Sequence, residues 1–399
     1  MTRPFLFALA LGLWSLTPAA SSAQIRLDSL SQQARISLLT ITPGTEAYSM
    51  YGHSAVRVTD PSVGLDVTYN YGTFSFGNVL TFIPRFLYGS LDYFLSISTY
   101  TRLASSYMAE RRATVEQVLD LSAAQRQALF VFLQENARPE NRTYRYDFLY
   151  DNCSTRIRDA LAVILGEDLV WTAASDTVGT FRALLDPYEQ QAPLLDVGMD
   201  LILGPSIDGP ATAHEAMFLP DYLFNGVEGA RIRRGGELVP LVAHTDTLTT
   251  VPPRSATLPA VWVPALLWGL FLGAAGATGW QLRHRRTLGV RLDGVLFGTV
   301  GLGGIIMLYM WFGSLHHVTD HNWHVLWAWP THVVVALALV RPHPPRWVWG
   351  YCLVALLGTS LALLSVPLWP QSFHPALLPV LLLLILRLGA RVWSTRPGR

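Results

Sequence analysis

Residues 146–159 read YDFLYDNCSTRIRD and set Cys153, one of the chain's two cysteines, at the start of a helix. Ser154 and Thr155 are residue types that cap helices, and Arg156 to Leu165 continues with amphipathic spacing up to Gly166. A cysteine in that first turn meets unpaired backbone N–H groups and the positive end of the helix dipole, and both favour thiolate over thiol. The thiolate is the reactive form, and the same N–H groups suit the oxyanion that forms when an acyl carbonyl is attacked. The competing reading is a buried, inert thiol, the common role of a lone cysteine. This stretch alone leaves both open.

Upstream, Arg35 to Thr42 (RISLLTIT) has the character of a strand and Pro43-Gly44-Thr45 that of a turn. Tyr51 to Val58 alternates as a half-exposed strand near whose start His53 stands. Asp60 to Gly64 turns the chain into an antiparallel partner, Leu65 to Phe76, which carries Asn70. The pattern then becomes helical: Phe82 to Tyr88 is rich in aromatics, and Ser122 with Gln125 reads as a capping box opening a helix over 123–136. A further helix is expected near 177–186, followed by Gly- and Pro-rich stretches at Gly198 to Pro210 and Phe218 to Asp221 that suggest no chemistry. The expected class is α+β, with a histidine on one strand, an asparagine on the next and a cysteine at a helix start. Those are the three residue types of a cysteine acyl-transfer site: a thiol, an imidazole to move protons and a polar group to orient it. His53 and Cys153 lie far apart in the chain, so a structural histidine stays an open alternative.

Composition separates two regions. The 399 residues carry a formal net charge of +1, with 14% charged and 51% hydrophobic. That balance argues against nucleic-acid binding and for a membrane protein. Arg3, the apolar run Phe5 to Leu16 and Ser21-Ser22-Ala23 read as a cleaved secretory signal over 1–23, with an uncleaved anchor as the alternative. No cysteine lies near that site, so the chain is not expected to be a lipoprotein itself. A mixed polar region, 24–255, is expected to be exported, and Pro252-Pro253-Arg254 marks the junction to the membrane region 256–399. Five segments there are read as spans: about 258–281, 293–313, 323–340, 347–367 and 374–393. Arginines concentrate in the loops at 282–291 (Arg283, Arg285, Arg286, Arg291) and 341–346 (Arg341, Arg346) and in the tail (Arg391, Arg396, Arg399). The loops at 314–322 and 368–373 have no Lys or Arg. Cationic loops stay cytoplasmic, so every loop agrees with an exported N-terminal domain and a cytoplasmic C-terminus. Cys153 and Cys352 then lie toward opposite sides of the membrane and form no disulfide, and an unpaired thiol in an oxidising compartment favours the reactive reading.

The phrases YSMYGHSAVRVTD (48–60), TYNYGTFSF (68–76), NRTYRYDFLYDNCSTRIRD (141–159) and FLPDYL (218–223) resemble the periplasmic domain of the Lnb family of bacterial lipoprotein N-acyltransferases. The likeness runs over nearly all of residues 30–235. More distantly, the family resembles circularly permuted papain-like (NlpC-like) enzymes such as lecithin retinol acyltransferase, in which the histidine precedes a cysteine in an Asn-Cys context, matched here by Asn152-Cys153. The resemblance implies Cys153 as nucleophile and His53 as base. Asn70 is the expected orienting group, with Tyr69, Tyr71 and Asp66 as alternatives. The membrane half is similar to the family at WFGSLHHVTDHNWHVLWAWP (311–330). By type, His316, His317, Asp320, His321 and His324 are metal ligands, but such residues at a bilayer edge more often bind head groups, cap helices or line a polar cavity. The expectation is therefore no metal and no cofactor. His316, His317, His321 and Asn322 are expected to face substrate, as are Asn152, Ser154 and Arg156 beside the thiol.

The implied activity moves a fatty acyl chain from a membrane phospholipid through a Cys153 thioester to the N-terminal amine of a diacylated lipoprotein, at the outer face of the inner membrane. Five helices suit two lipid substrates that move within the bilayer. The alternatives are a papain-like hydrolase of peptidoglycan peptides or lipids, and a non-catalytic envelope scaffold. The expected partners are phospholipid, lipoprotein and the bilayer, not nucleic acid.

Overall fold

The computed structural model describes residues 29–75, 79–252, 261–284, 289–341 and 343–394. The expected signal peptide, 1–23, lies outside them, as do Arg254, Arg285, Arg286, Arg396 and Arg399. The N-terminal part begins with strands β1 (Arg35–Ile41), β2 (His53–Asp60) and β3 (Leu65–Thr73), then helix α1 (Val79–Tyr88), β4 (Asp92–Thr99), α2 (Tyr100–Ala109) and β5 (Thr114–Leu119). It continues through α3 (Ala123–Asn136), β6 (Thr143–Arg145), α4 (Cys153–Leu165), β7 (Leu169–Val170), β8 (Thr177–Thr180), α5 (Phe181–Glu189) and α6 (Pro193–Ile202). Next come β9 (Pro210–Thr212), α7 (Ala213–Ala216), α8 (Pro220–Gly229), β10 (Arg231–Arg234), β11 (Glu237–Pro240) and β12 (Val242–Thr249).

Seven strands form one antiparallel sheet in the order β12-β5-β1-β2-β3-β4-β6. The expected hairpin of β2 and β3 is present, with Asp60 capping the turn through Ser62 N–H and Gly64 in a left-handed conformation. One face of the sheet is closed by α3 and α4. Val56, Val58, Val67 and Tyr69 pack there against Ile157, Leu161, Phe130 and Leu133 in a single buried cluster. The capping box of Ser122 and Gln125 opens α3 as the sequence predicts. The helix expected near 177–186 is displaced, because Thr177–Thr180 pairs as a strand and Thr180 caps α5.

The second part is helical: α9 (Trp262–Arg283), α10 (Val290–Phe312), α11 (His332–Leu339), α12 (Trp347–Ser365) and α13 (Leu378–Ser394). Among the described residues, four helical segments are long and apolar enough to cross a membrane: Trp262–Arg283, Val290–Phe312, Trp347–Leu368 and Pro375–Ser394. The expected span at 323–340 is the exception. It comprises a 3-10 turn at Trp323–Leu326, a break at Pro330 and the eight residues of α11. Eight helical residues reach about 12 Å, against a hydrocarbon core of about 30 Å. Proline has no N–H for the helix ladder and disfavours helical backbone before it, which breaks the segment. The broken segment instead packs closely on α10, where a Cβ at Gly304 would stand 1.8 Å from the Ala328 carbonyl oxygen and one at Gly301 would stand 2.6 Å from the Val333 nitrogen. Deep in the helices, Asp293 of α10 accepts from Arg387 Nε at 2.5 Å and also from Arg391, while Arg387 Nη1 donates to Thr278 at 2.6 Å. Three spans are thus joined through the buried Asp293–Arg387 pair, the pairing that lets charge persist inside a bundle.

The Gly-rich stretch after α6 is where the two parts dock. Gly204 N–H donates to Val318 O at 2.8 Å, and a Cβ on Gly204 would fall 2.1 Å from Asp320 O. Asn322 Nδ2 donates to Leu201 O and Ile202 O at 2.8 and 2.9 Å, and Gln371 Nε2 donates to Leu203 O at 2.9 Å. The two loops without Lys or Arg therefore both lie against the N-terminal part.

Candidate active site

The cap of α4 differs from the sequence reading by a few residues, and the difference matters. Asn152 is the N-cap and Cys153 is the first helical residue, rather than Ser154 or Thr155 capping a helix that starts at Arg156. Asn152 wins because its buried amide serves both ends of the turn. Oδ1 accepts from Ser154 N–H (2.8 Å) and Thr155 N–H (3.0 Å), while Nδ2 donates to Phe148 O (2.7 Å) and Phe218 O (2.9 Å). Thr155 Oγ1 returns a bond by accepting from Asn152 N–H at 2.8 Å. Two of the N–H groups expected to be open for an oxyanion are therefore occupied, and Cys153 N–H is left as the first-turn donor nearest the sulfur. Asn152→Ala removes the cap and strands two buried carbonyls, a cost of about 2–4 kcal/mol. The expected result is a fall in the thermal midpoint of the full-length protein on the order of 5–10 °C. An unchanged midpoint with lost activity would instead place Asn152 in the chemistry.

The sheet brings the other two groups to the sulfur. His53 stands at the first position of β2, paired with Ile41 of β1, and Asn70 stands in β3 opposite Ser96 of β4. His53 Nε2 and Asn70 Oδ1 are 2.5 Å apart. The imidazole also lies close enough to the Cys153 sulfur for the two groups to shift each other's protonation. β3 bulges between Asn70 and Thr73, with Gly72 at φ +81°, a backbone that favours glycine. A Cβ at Gly72 would sit 3.6 Å from Cys153 Cβ and 3.8 Å from the Tyr146 ring, so the missing side chain leaves a methyl-sized space between them. Below the thiol, Ser154 Oγ lies 3.9 Å from Sγ and 3.0 Å from Ser54 Oγ.

Electrostatics follow from this packing. Burial raises the Cys153 thiol, but the His53 imidazole, by charge and hydrogen bond, and the Ser54 N–H and Ser154 hydroxyl outweigh it and bring the pKa from 9.0 down to about 7. Burial likewise works against protonated His53, yet the Cys153 thiolate and the bond to Asn70 raise it on balance. The pair favours thiolate and imidazolium, the charge state of an activated cysteine nucleophile.

The remaining sequence candidates divide. Ser154 is buried under the thiol, and Arg156 is paired with Asp151 at 2.5 and 2.7 Å and stacked 3.9 Å over Tyr144. His316 bonds Phe86 O at 2.7 Å, His321 stands at φ 57° against Trp311, and Asn322 is buried in the bonds to α6 given above. His317 is exposed, and His324 is buried with Nδ1 accepting from Trp327 Nε1 at 3.1 Å. His316 is thus brought to α1 and Asn322 to α6.

Metal-ligand types gather elsewhere: Asp196, Asp200 and His374, and Asp186, Glu189 and Asp196, each set within 4.8 Å. Arg182 pairs with Asp200 at 2.5 Å and Asp208 at 2.9 Å, and His374 with Asp196 at 3.5 Å. Burial, opposed by the Tyr51 hydroxyl and helped by nearby carboxylates, raises Glu189 to about 7. Gly72, Ser54 and Tyr146 at the thiol were not singled out from the sequence. A glycine three residues after a motif tyrosine was the available signal, and only the bulge gives it meaning.

No curated protein and no solved structure matches the chain. Residues 22–186 match the Lnb N-terminal periplasmic domain, and residues 258–397 match the Lnb transmembrane domain. With both domains present in that order, and little beyond the segment between them unmatched, the chain belongs to the Lnb family.

Proposed function

We propose that this protein is a lipoprotein N-acyltransferase of the inner membrane. It would take an acyl chain from a phospholipid onto Cys153 and pass it to the N-terminal amine of a diacylated lipoprotein. The single observation that supports it most is the contact of Cys153, at the N-terminus of α4, with the His53 imidazole that Asn70 holds at 2.5 Å. A histidine strand preceding a helix-borne cysteine is also the order of a circularly permuted papain-like domain. The lipid side of the reading rests on family membership and on the apolar helices docked to the same domain. An exported N-terminal domain is supported by its contacts with the two loops that lack Lys and Arg.

The chemistry proceeds in two transfers. Cys153 Sγ attacks the ester carbonyl while its proton rests on His53, and the helix dipole and Cys153 N–H favour the oxyanion. The C–O bond breaks, His53 gives its proton to the departing alkoxide, and lysophospholipid leaves a thioester on Cys153. The lipoprotein amine attacks that thioester, the C–N bond forms as C–S breaks, and the amine's proton returns through His53. Asn70 fixes the ring so that the nitrogen beside the sulfur carries the proton in turn.

The test supplies phospholipid vesicles and a diacylated lipopeptide. The expected products are lysophospholipid and triacylated lipopeptide in equal amounts. Free fatty acid in place of triacylated peptide would instead make the protein a hydrolase.

A further inference from the structure

We propose that α1 is the lateral entrance for the donor phospholipid's acyl chain, and that a file of aromatic rings from Phe86 to Tyr146 conducts that chain to Cys153. The inference rests on the acyl-transfer reading above and adds a route to it. Four observations carry it.

First, α1 is fastened to the membrane half at its C-terminal end. Leu315 N–H donates to Tyr88 O at 2.8 Å, and His316 Nε2 bonds Phe86 O at 2.7 Å. Gly89 is packed so closely there that a Cβ would meet Leu315 and His316 at 3.3 Å. Those residues directly follow the end of α10 at Phe312, itself exposed, so α1 sits at the bilayer boundary. Second, α1 exposes apolar side chains at that boundary: Leu80 is 82% exposed, Phe86 50% and Tyr88 43%. Its cation, Arg85, is exposed as well but is neutralised in its bonds to Ser90 O at 3.0 Å and Asp92 at 2.9 Å. An apolar helix face held at a membrane surface takes lipid in preference to water.

Third, the rings run inward in sequence. Phe86 stacks on Phe82 with centroids 6.1 Å apart, Phe82 meets Phe74 at 6.1 Å, Phe74 meets Tyr93 at 5.1 Å and Tyr93 stacks on Tyr146 at 4.1 Å. Phe74, Phe82, Tyr93 and Tyr146 are each half-buried, so every ring of the file keeps part of its surface accessible. Fourth, the file ends at the methyl-sized space that Gly72 leaves between the Tyr146 ring and Cys153 Cβ. A methylene chain laid along these rings would deliver its ester carbonyl to the sulfur.

The test compares two donors on full-length protein carrying Phe86→Asp or Leu80→Asp. These are exposed positions that should leave folding intact. One donor is a long-chain phosphatidylethanolamine in vesicles, the other p-nitrophenyl acetate in solution. The expected result is acylation of Cys153 from the phospholipid reduced about tenfold or more, the scale of losing one large apolar contact, with acetate transfer unchanged. Equal loss on both donors, or no loss on the phospholipid, would overturn the track while leaving the acyl-transfer reading in place. A wild-type protein that takes acetate but never a long chain would overturn both.

Discussion

Replacing Cys153 with alanine should abolish the acyl-enzyme and lower acyl transfer by about a thousandfold or more, the scale seen when a nucleophile is removed. The thiol is the group for which the site is arranged: α4 begins at it, Asn152 holds the turn around it, and His53, Ser54 and Ser154 converge on it. Fold should survive the change. Cys153 is 9% exposed and makes one small apolar contribution to the sheet-facing core, so the loss is on the order of 1 kcal/mol, and the thermal midpoint should move by a few degrees at most. Activity that persists in Cys153→Ala would end the covalent mechanism. A collapse of the fold would make the residue structural.

The second large effect is expected at His53. His53→Ala should cost about 10²- to 10⁴-fold in rate, because the same ring accepts the thiol proton and returns it to the leaving group. It should also change how the thiol titrates. With His53 present the Cys153 pKa is about 7, so alkylation by iodoacetamide should rise through a midpoint near pH 7. Without it the largest depressing charge and hydrogen bond are gone and burial is opposed only by the Ser54 N–H and the Ser154 hydroxyl, so the midpoint should move upward. A midpoint that stays near 7 in His53→Ala would mean that the helix terminus and hydroxyls activate the sulfur by themselves. The histidine would then lose its role as base partner in this account.

Much of the local structure could be read from local patterns. The strands at Arg35, Tyr51 and Leu65, the capping box at Ser122 and the helix end at Gly166 all depend on neighbours within a few residues, and all are present. The cap at Cys153 was misplaced because Asn152, Ser154 and Thr155 are all capping types. What separates them is the reach of Asn152 Nδ2 to Phe218 O, 66 residues away. The third apolar segment, 323–340, departs from one continuous helix for a related reason. Its composition is apolar, but Pro330 breaks it, and Gly301 and Gly304 of α10 provide the close surface on which the pieces rest. The Gly-rich stretch after α6 suggested no chemistry, and its use is docking: Gly204 leaves room for the Asp320 carbonyl of the membrane half. At the site, the residue types of Cys153, His53 and Asn70 were visible in the sequence and their contact was not. The antiparallel register of β2 and β3 and the packing of α4 on β2 create that contact.

The central claim is that Cys153 carries the acyl group. Intact mass of the full-length protein, measured after incubation with phospholipid vesicles and without an acceptor, tests it most directly. The account predicts the added mass of one fatty acyl chain on wild type, released by neutral hydroxylamine as a thioester is, and no addition on Cys153→Ala. A fatty acyl addition of equal size on Cys153→Ala, or one on wild type that resists hydroxylamine, would contradict it.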